Sequence, residues 1–137
     1  MRIMGIDYGD ARTGVAISDL LCSIAGSTAV VPSRNREKLM ADILRLIQDN
    51  GVGEVVVGLP KNMDGTEGAR AELCRAFADE LKERCGLPVA MWDERRTTVE
   101  AHNILSAHNY HGQKRKNTVD AVAASLILEG YLAYRKR

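Results

Sequence analysis

Three acidic side chains are conspicuous for where they fall along the chain. Asp7 closes a short apolar run, Met1-Arg-Ile-Met-Gly-Ile-Asp7, and is followed by Tyr8-Gly9 and then Arg12-Thr-Gly14-Val-Ala-Ile-Ser-Asp19. Glu94 follows Asp93 at the end of a second apolar run, Val89-Ala-Met-Trp92. Asp120 lies three residues after Asn117 and is followed by the small residues Ala121, Ala123, Ala124 and Ser125. Each has an ordinary structural explanation: Asp favours turns, and an acid in a helix's first turn complements the macrodipole by about 0.3–1 kcal/mol. Brought together, the same groups do chemistry. Three or four carboxylates in one place repel and cannot all stay ionised without a cation. Hard divalent ions with oxygen ligands, Mg²⁺ or Mn²⁺, are the natural compensation. Two such ions can activate water for in-line attack on a phosphodiester and stabilise the leaving oxygen.

An acid at the tip of a first strand serves two known chemistries. One is metal-dependent nucleic-acid cleavage on an RNase H-like sheet. The other is nucleotide-phosphate handling in the actin, Hsp70 and sugar-kinase superfamily, whose members close two such domains over a nucleotide. At 137 residues the chain has room for one domain, spanning 1–137, with a real core. Gly5, Gly9 and Gly14 remove side-chain bulk around Asp7, which lets a large ligand's backbone approach. No apolar run nears the roughly 20 residues needed to cross a bilayer. The N-terminus enters a strand directly, without a signal-like segment. The expectation is a cytoplasmic protein that engages no membrane.

The elements that must position the acids alternate along the chain. Residues 2–7 and 12–18 read as strands joined by a Gly-rich turn, and 27–32 as a third. A helix follows at 35–49, with Leu39, Met40, Ile43, Leu44 and Ile47 at helical spacing. The nearly continuous apolar run 52–58 suits a strand buried on both faces. A polar turn-rich loop leads to a second helix at 67–84, with Ala69, Leu73, Phe77 and Leu81 facing inward. A short strand at 89–92 is followed by the capping box Thr97-Thr-Val-Glu100, which opens a third helix running to about 107. Residues 109–116 read as a loop and 118–134 as a final helix. Tight turns make the first three strands an antiparallel meander, and helical crossovers make the later two parallel. The expected fold is α/β, a mixed five-stranded sheet flanked by helices, with the first strand central. Asp7 and Asp93-Glu94 then share the carboxyl edge of the parallel strands, where sites in open α/β sheets belong.

The net charge of +1 hides a division. Residues 95–137 carry eight Lys or Arg and three acids, clustered as Arg95-Arg96, Lys114-Arg115-Lys116 and Arg135-Lys136-Arg137. Such clusters can neutralise phosphates and release counterions. One Phe, one Trp and four Tyr are too few for a base-stacking platform, so backbone and shape recognition are expected. Cys22, Cys74 and Cys85 lack metal-ligand spacing and read as reduced and buried. His102, His108 and His111 lie in no metal-binding motif.

Four segments in order carry a resemblance that spans essentially the whole chain: Gly5-Ile-Asp-Tyr-Gly9; Val57-Gly-Leu-Pro60 with Asn62-Met-Asp-Gly-Thr66; Asp93-Glu-Arg with Thr97-Thr98; and Val119-Asp120-Ala121. They resemble the YqgF family, also called RuvX, described as pre-16S rRNA nucleases or Holliday-junction-resolvase-like proteins. The resemblance implies an RNase H-like fold related to the RuvC resolvases and a bacterial cytoplasmic setting. It also implies a role in maturing the 5′ end of small-subunit rRNA. By position, Asp7, Glu94 and Asp120 are the implied catalytic acids and metal ligands, with Asp93 a neighbour. Resolvases of the RuvC type place an acid at the end of the fourth strand, whereas here that strand ends Gly58-Leu-Pro60. Substrate contacts are expected from Arg95 or Arg96 at the phosphate and from Lys61 and Asn62 along the flanking backbone. A resolvase cutting two strands needs two sites, as in a homodimer, whereas an rRNA-trimming enzyme does not and can be a monomer. The sequence fits either.

Overall fold

The protein is seen here as a computed structural model that describes residues 1–96 and 112–135, without the side chains of 96 and 112–118. The chain opens with a meander of β1 (Arg2–Asp7), β2 (Arg12–Ser18) and β3 (Ala25–Pro32). Antiparallel pairing sets Asp7 opposite Gly14 and Arg12 opposite Pro32. Then come α1 (Arg36–Asn50), β4 (Val52–Leu59), α2 (Ala69–Cys85) and β5 (Val89–Asp93). A 3₁₀ turn (Glu94–Arg96) leaves β5, and α3 (Gly112–Arg135) closes the described chain. The sheet order is β3-β2-β1-β4-β5, with β4 parallel to both β1 and β5. The expected mixed sheet with a central first strand is therefore the observed one.

Local chemistry explains the boundaries. Asn35 caps α1 by accepting from Lys38 N at 3.1 Å, and Gly51 ends it in the left-handed region (φ 63°). α1 and α2 cover one face of the sheet, where Ile6, Val15, Ile43, Val57, Phe77 and Leu81 form a core. α3 covers the other, with Ile3, Ala16, Val56, Ala124, Ile127 and Leu128. Strand alternation sends Ile3, Gly5 and Asp7 toward α3, while Met4 and Ile6 point to α1 and α2. Burying Ile127 and Leu128 completely stabilises this docking by roughly 1.5–3 kcal/mol each.

Three expectations change. β3 begins at Ala25 rather than 27, because Asp19 closes the hairpin compactly: its Oδ1 accepts from Ser23 N (2.7 Å) and Ile24 N (3.2 Å). Ala69 and Leu73 are exposed, and α2 instead buries Ala71, Cys74, Phe77, Ala78 and Leu81. The face that carries Phe77 and Leu81 runs through Cys74, three residues before Phe77, and leaves Leu73 beside it. α3 starts at Gly112, so residues 112–116 are helical rather than loop. Gln, Lys and Arg are good helix formers, and a cluster of charge does not by itself break a helix. The helix expected from 97 to 107, its capping box and the three histidines lie outside the described residues. The cysteines are unpaired, Cys74 buried and Cys22 and Cys85 half-buried. Among the described residues no helix is long and apolar enough to cross a membrane.

Candidate active site

The sheet brings two of the three singled-out acids into contact and sets the third beside them. Gly14 of β2 pairs with Asp7, and Ile6 pairs with Val57, which puts Gly58 of β4 one rung further, alongside Asp7. Gly14, Asp7 and Gly58 thus form a row across three strands, all facing α3. A Cβ on Gly14 would overlap the main-chain carbonyl of Asp120. A Cβ on Gly58 would come within 2.7 Å of Glu94 Oε1, and one on Gly5 within 2.8 Å of Leu128 Cβ. The bulk missing at Gly5 and Gly14 therefore admits this chain's own helix rather than a ligand's backbone. Gly9 serves the turn itself, since a Cβ there would overlap the Arg12 carbonyl. At Gly58 the space of a side chain is taken by the Glu94 carboxyl. The acid that a RuvC-like pattern would carry on the fourth strand is here delivered from the turn after the fifth.

Burial governs the electrostatics. The Asp7 and Glu94 carboxyls are hydrogen-bonded to each other. Glu94 is pushed up to about 8, first by burial and then by the charge of Asp7 and the bond to it. Asp7 is also raised, chiefly by burial, with the charge of Asp120 adding to the effect. Its bond to Glu94 and the charge of Arg70 act in the opposite direction. Two such carboxyls share a proton. Asp120 turns its Oδ2 to Arg12 Nε, 2.8 Å away.

The remaining expected site residues are tied into the rim. Asn62 closes its own loop, its N–H donating to Thr66 O (2.8 Å) and its side-chain amide to Thr66 Oγ1 (2.9 Å). Lys61 forms a β-bridge with Glu67. Arg95 grips Asp93 through Nε (2.9 Å) and Nη2 (2.6 Å) and reaches Met63 O with Nη1 (3.2 Å). That side-chain bond holds Asp93 below the usual carboxylate range and fastens the loop after β4 to the end of β5. Asp93 thus belongs to Arg95 rather than to the acid pair. The Arg96 side chain lies outside the described residues.

Two cations escaped the sequence reading. Arg12 starts β2 beside Asp120. Arg70, in the first turn of α2, donates to Asp10 Oδ1 (2.8 Å) and to the Tyr8 carbonyl, and lies 5.2 Å over the Tyr8 ring. Its charge lowers both Asp7 and Glu94. Nothing in the local sequence marks either one, since each meets the site only through sheet pairing or helix docking.

The donor chemistry fits a hard cation: two half-buried carboxyls in contact, all-oxygen, with a third carboxylate near enough to act on Asp7. Among the described residues no three such side chains converge on one point, and the Asp120 carboxylate is paired with Arg12.

A family model described as "RuvX: Holliday junction resolvase" matches residues 1–134. A relative from Halothermothrix orenii named "Putative pre-16S rRNA nuclease" is 48% identical over 137 residues, covering 100% of this chain and 98% of its own length. A relative of the same name from Carboxydothermus hydrogenoformans is 42% identical over 137 residues, covering 100% and 99%. Among solved structures, Thermus thermophilus RuvC in complex with Holliday junction substrate matches with a TM-score of 0.63 at 15% identity, covering 99% of this chain and 96% of its own. Fowlpox virus resolvase, solved with substrate Holliday junction DNA, gives 0.62 at 13% identity and covers 100% of both chains. At that identity the two structures speak for a shared RNase H-like fold.

Proposed function

Because this chain belongs to the RuvX family, a family of nucleases, we propose that it is a metal-dependent hydrolase that cuts phosphodiester bonds at the 5′ end of precursor 16S rRNA. The work belongs to ribosome biogenesis in the cytoplasm. The observation that carries the metal-dependent reading is the hydrogen-bonded Asp7–Glu94 pair, half-buried at the carboxyl edge of the central strands with Asp120 beside it. Two half-buried carboxyls forced together, with a third acid adjacent, are costly unless a proton or a cation compensates them.

Asp7, Glu94 and Asp120 would hold Mg²⁺ or Mn²⁺, with Asp7 central because it lies between the other two. Bound there, the ions supply an activated water and offset charge on the leaving oxygen. The chain's own residues do the rest. The glycine row keeps the acids at one depth, and α3 packs over the same face of the sheet. Arg70 holds the Tyr8–Asp10 turn and so fixes the direction of Asp7. Lys61 and the Arg95-braced loop would line the path of the flanking nucleic-acid backbone, with Arg96, next in sequence after Arg95, a further proposed phosphate contact.

A Holliday-junction resolvase with the same site is the second reading, favoured by the family description. Both are tested by offering the protein a 5′-extended 16S precursor fragment and a four-way DNA junction, each with Mg²⁺ and with EDTA. The expected result is Mg²⁺-dependent cleavage of the RNA, lost with EDTA and in Asp7→Asn. Preferential cutting of the junction would move the assignment to the resolvase. Cleavage of neither, with binding indifferent to EDTA, would leave a nucleic-acid-binding module.

A further inference from the structure

Asp120 differs from the other two acids in that its carboxylate is paired with a guanidinium. Arg12 Nε donates to its Oδ2 at 2.8 Å, with the two side chains 29% and 17% exposed. The main chain of Asp120 is meanwhile pressed onto β2 at Gly14, and Gly14 is the ladder partner of Asp7. Facing Cα atoms in such a pair are about 4.5–5.5 Å apart. The backbone of Asp120 is therefore fixed roughly one strand away from Asp7. Its side-chain torsions decide whether the carboxylate points along β2 to Arg12 or across to Asp7. Its charge is already felt at Asp7. Arg12, Gly14 and Ala16 alternate onto the same face, so Arg12 stands at the mouth of the acid row. Its bond to Asp120 uses Nε, whereas four of the five guanidinium N–H donors sit on the terminal nitrogens.

Resting on the nuclease reading above, we propose that Arg12 competes with a divalent cation for the Asp120 carboxylate and, when displaced, pairs with a phosphate oxygen of the substrate strand. Arg12 is thus a positioning residue toward the metal ligands and becomes a substrate contact after the exchange. A guanidinium suits both partners because one planar fork matches carboxylate and phosphate alike. The exchange couples the two ligands reciprocally. A cation that takes Asp120 frees Arg12 for phosphate, and a phosphate that takes Arg12 frees Asp120 for the cation.

Calorimetric Mn²⁺ titration of the wild type, Arg12→Ala, Arg12→Lys, Asp120→Asn and the Arg12→Ala/Asp120→Asn pair tests the first half, with a melting curve for each. Arg12→Ala is expected to bind Mn²⁺ about fivefold tighter, the scale of one partly exposed ion pair. Any gain from simply removing a nearby positive charge will persist in the Asp120→Asn background, so the competitive part is what disappears there. Unchanged or weaker Mn²⁺ binding by Arg12→Ala with a normal melting curve overturns the proposal. Equal gains in both backgrounds overturn it as well. Should Arg12→Ala fold poorly, Arg12→Lys decides: lacking the fork, it is expected to bind Mn²⁺ more tightly than wild type, and equal binding overturns the idea. The second half is read from RNA binding against salt, on the Asp7→Asn background so that the RNA stays intact. Adding Arg12→Ala is expected to reduce the log–log slope by about 0.7–0.9, one phosphate contact. An unchanged slope overturns the phosphate contact. A wild-type protein that takes up no Mn²⁺ and cuts no nucleic acid defeats the nuclease reading itself, which is a different outcome.

Discussion

At the scale of single residues the site is held in tension by its own acids. Glu94 sits at about 8 rather than at its ordinary 4.5 because burial and the charge of Asp7 favour its protonated form. The folded state therefore binds that proton more tightly than the unfolded chain does. Its contribution to stability is full below 4.5 and is lost as pH rises toward about 8. In EDTA the melting temperature is expected to fall across that window, and Glu94→Gln, which cannot ionise, is expected to flatten the fall. Each kcal/mol relieved at the higher pH corresponds to about 4 °C in a domain of this size. Mg²⁺ should restore the wild type at high pH and leave Glu94→Gln nearly unmoved. A wild-type melting temperature that rises with pH in EDTA would contradict the shared proton. Asp7 and Glu94 were legible in the sequence because each stands at the end of a strand; Asp120 reads as a first-turn helix acid, but α3 begins at Gly112 and places it in the third turn. Arg12 and Arg70 were not legible, because a lone arginine says nothing of its partner until distant segments are docked.

At the scale of elements, the glycines decide what the sheet can accept. Gly14 and Gly58 flank Asp7 on neighbouring strands, yet their neighbours differ in kind. Gly14 faces the rigid main chain of Asp120, whereas Gly58 faces the side-chain ends of Ile127 and Glu94. Gly14→Ala is therefore expected to push α3 outward and cost about 1–3 kcal/mol of stability, seen as a lower melting temperature. Gly58→Ala is expected to melt nearer the wild type while losing Mn²⁺ affinity, because the methyl group displaces the Glu94 carboxyl. The reverse ranking in melting, with Mn²⁺ binding intact in Gly58→Ala, would refute these roles of Gly14 and Gly58. Periodicity in the sequence was enough to find all five strands and the helices that the described residues contain. It erred where periodicity is weakest. A strict four-residue spacing back from Leu81 and Phe77 predicts Leu73 and Ala69 inward, but the buried stripe runs through Cys74 and Ala71. The first turns of α3 read as loop because three consecutive cations hide an otherwise helix-favouring stretch. That glycines on the sheet receive α3 is a long-range fact which no local window contains.

At the scale of the whole molecule, charge and topology agree on which edge meets nucleic acid. Five sequential elements sufficed to order the sheet, since a tight-turned meander and right-handed crossovers leave few alternatives. Five of the eight cations of residues 95–137 precede Asp120, on segments that follow β5, whereas Arg135 at the other end of α3 pairs with Glu54 (3.3 Å). Lys114, Arg115 and Lys116 occupy the first turns of α3, where cations oppose the helix dipole and a phosphate would relieve them. Replacing all three with Gln is expected to weaken binding of precursor RNA and to reduce its log–log salt slope by about 2–3. An equal slope in the variant would place the phosphate contacts elsewhere. All of this depends on a cation gathering the acids at that edge. The most direct measurement is anomalous diffraction from a crystal soaked in Mn²⁺. The expected map has a manganese peak about 2.1 Å from carboxylate oxygens of both Asp7 and Glu94, with Asp120 turned from Arg12 toward it. A peak on other residues, or none at a Mn²⁺ concentration that supports cleavage in solution, would contradict the account.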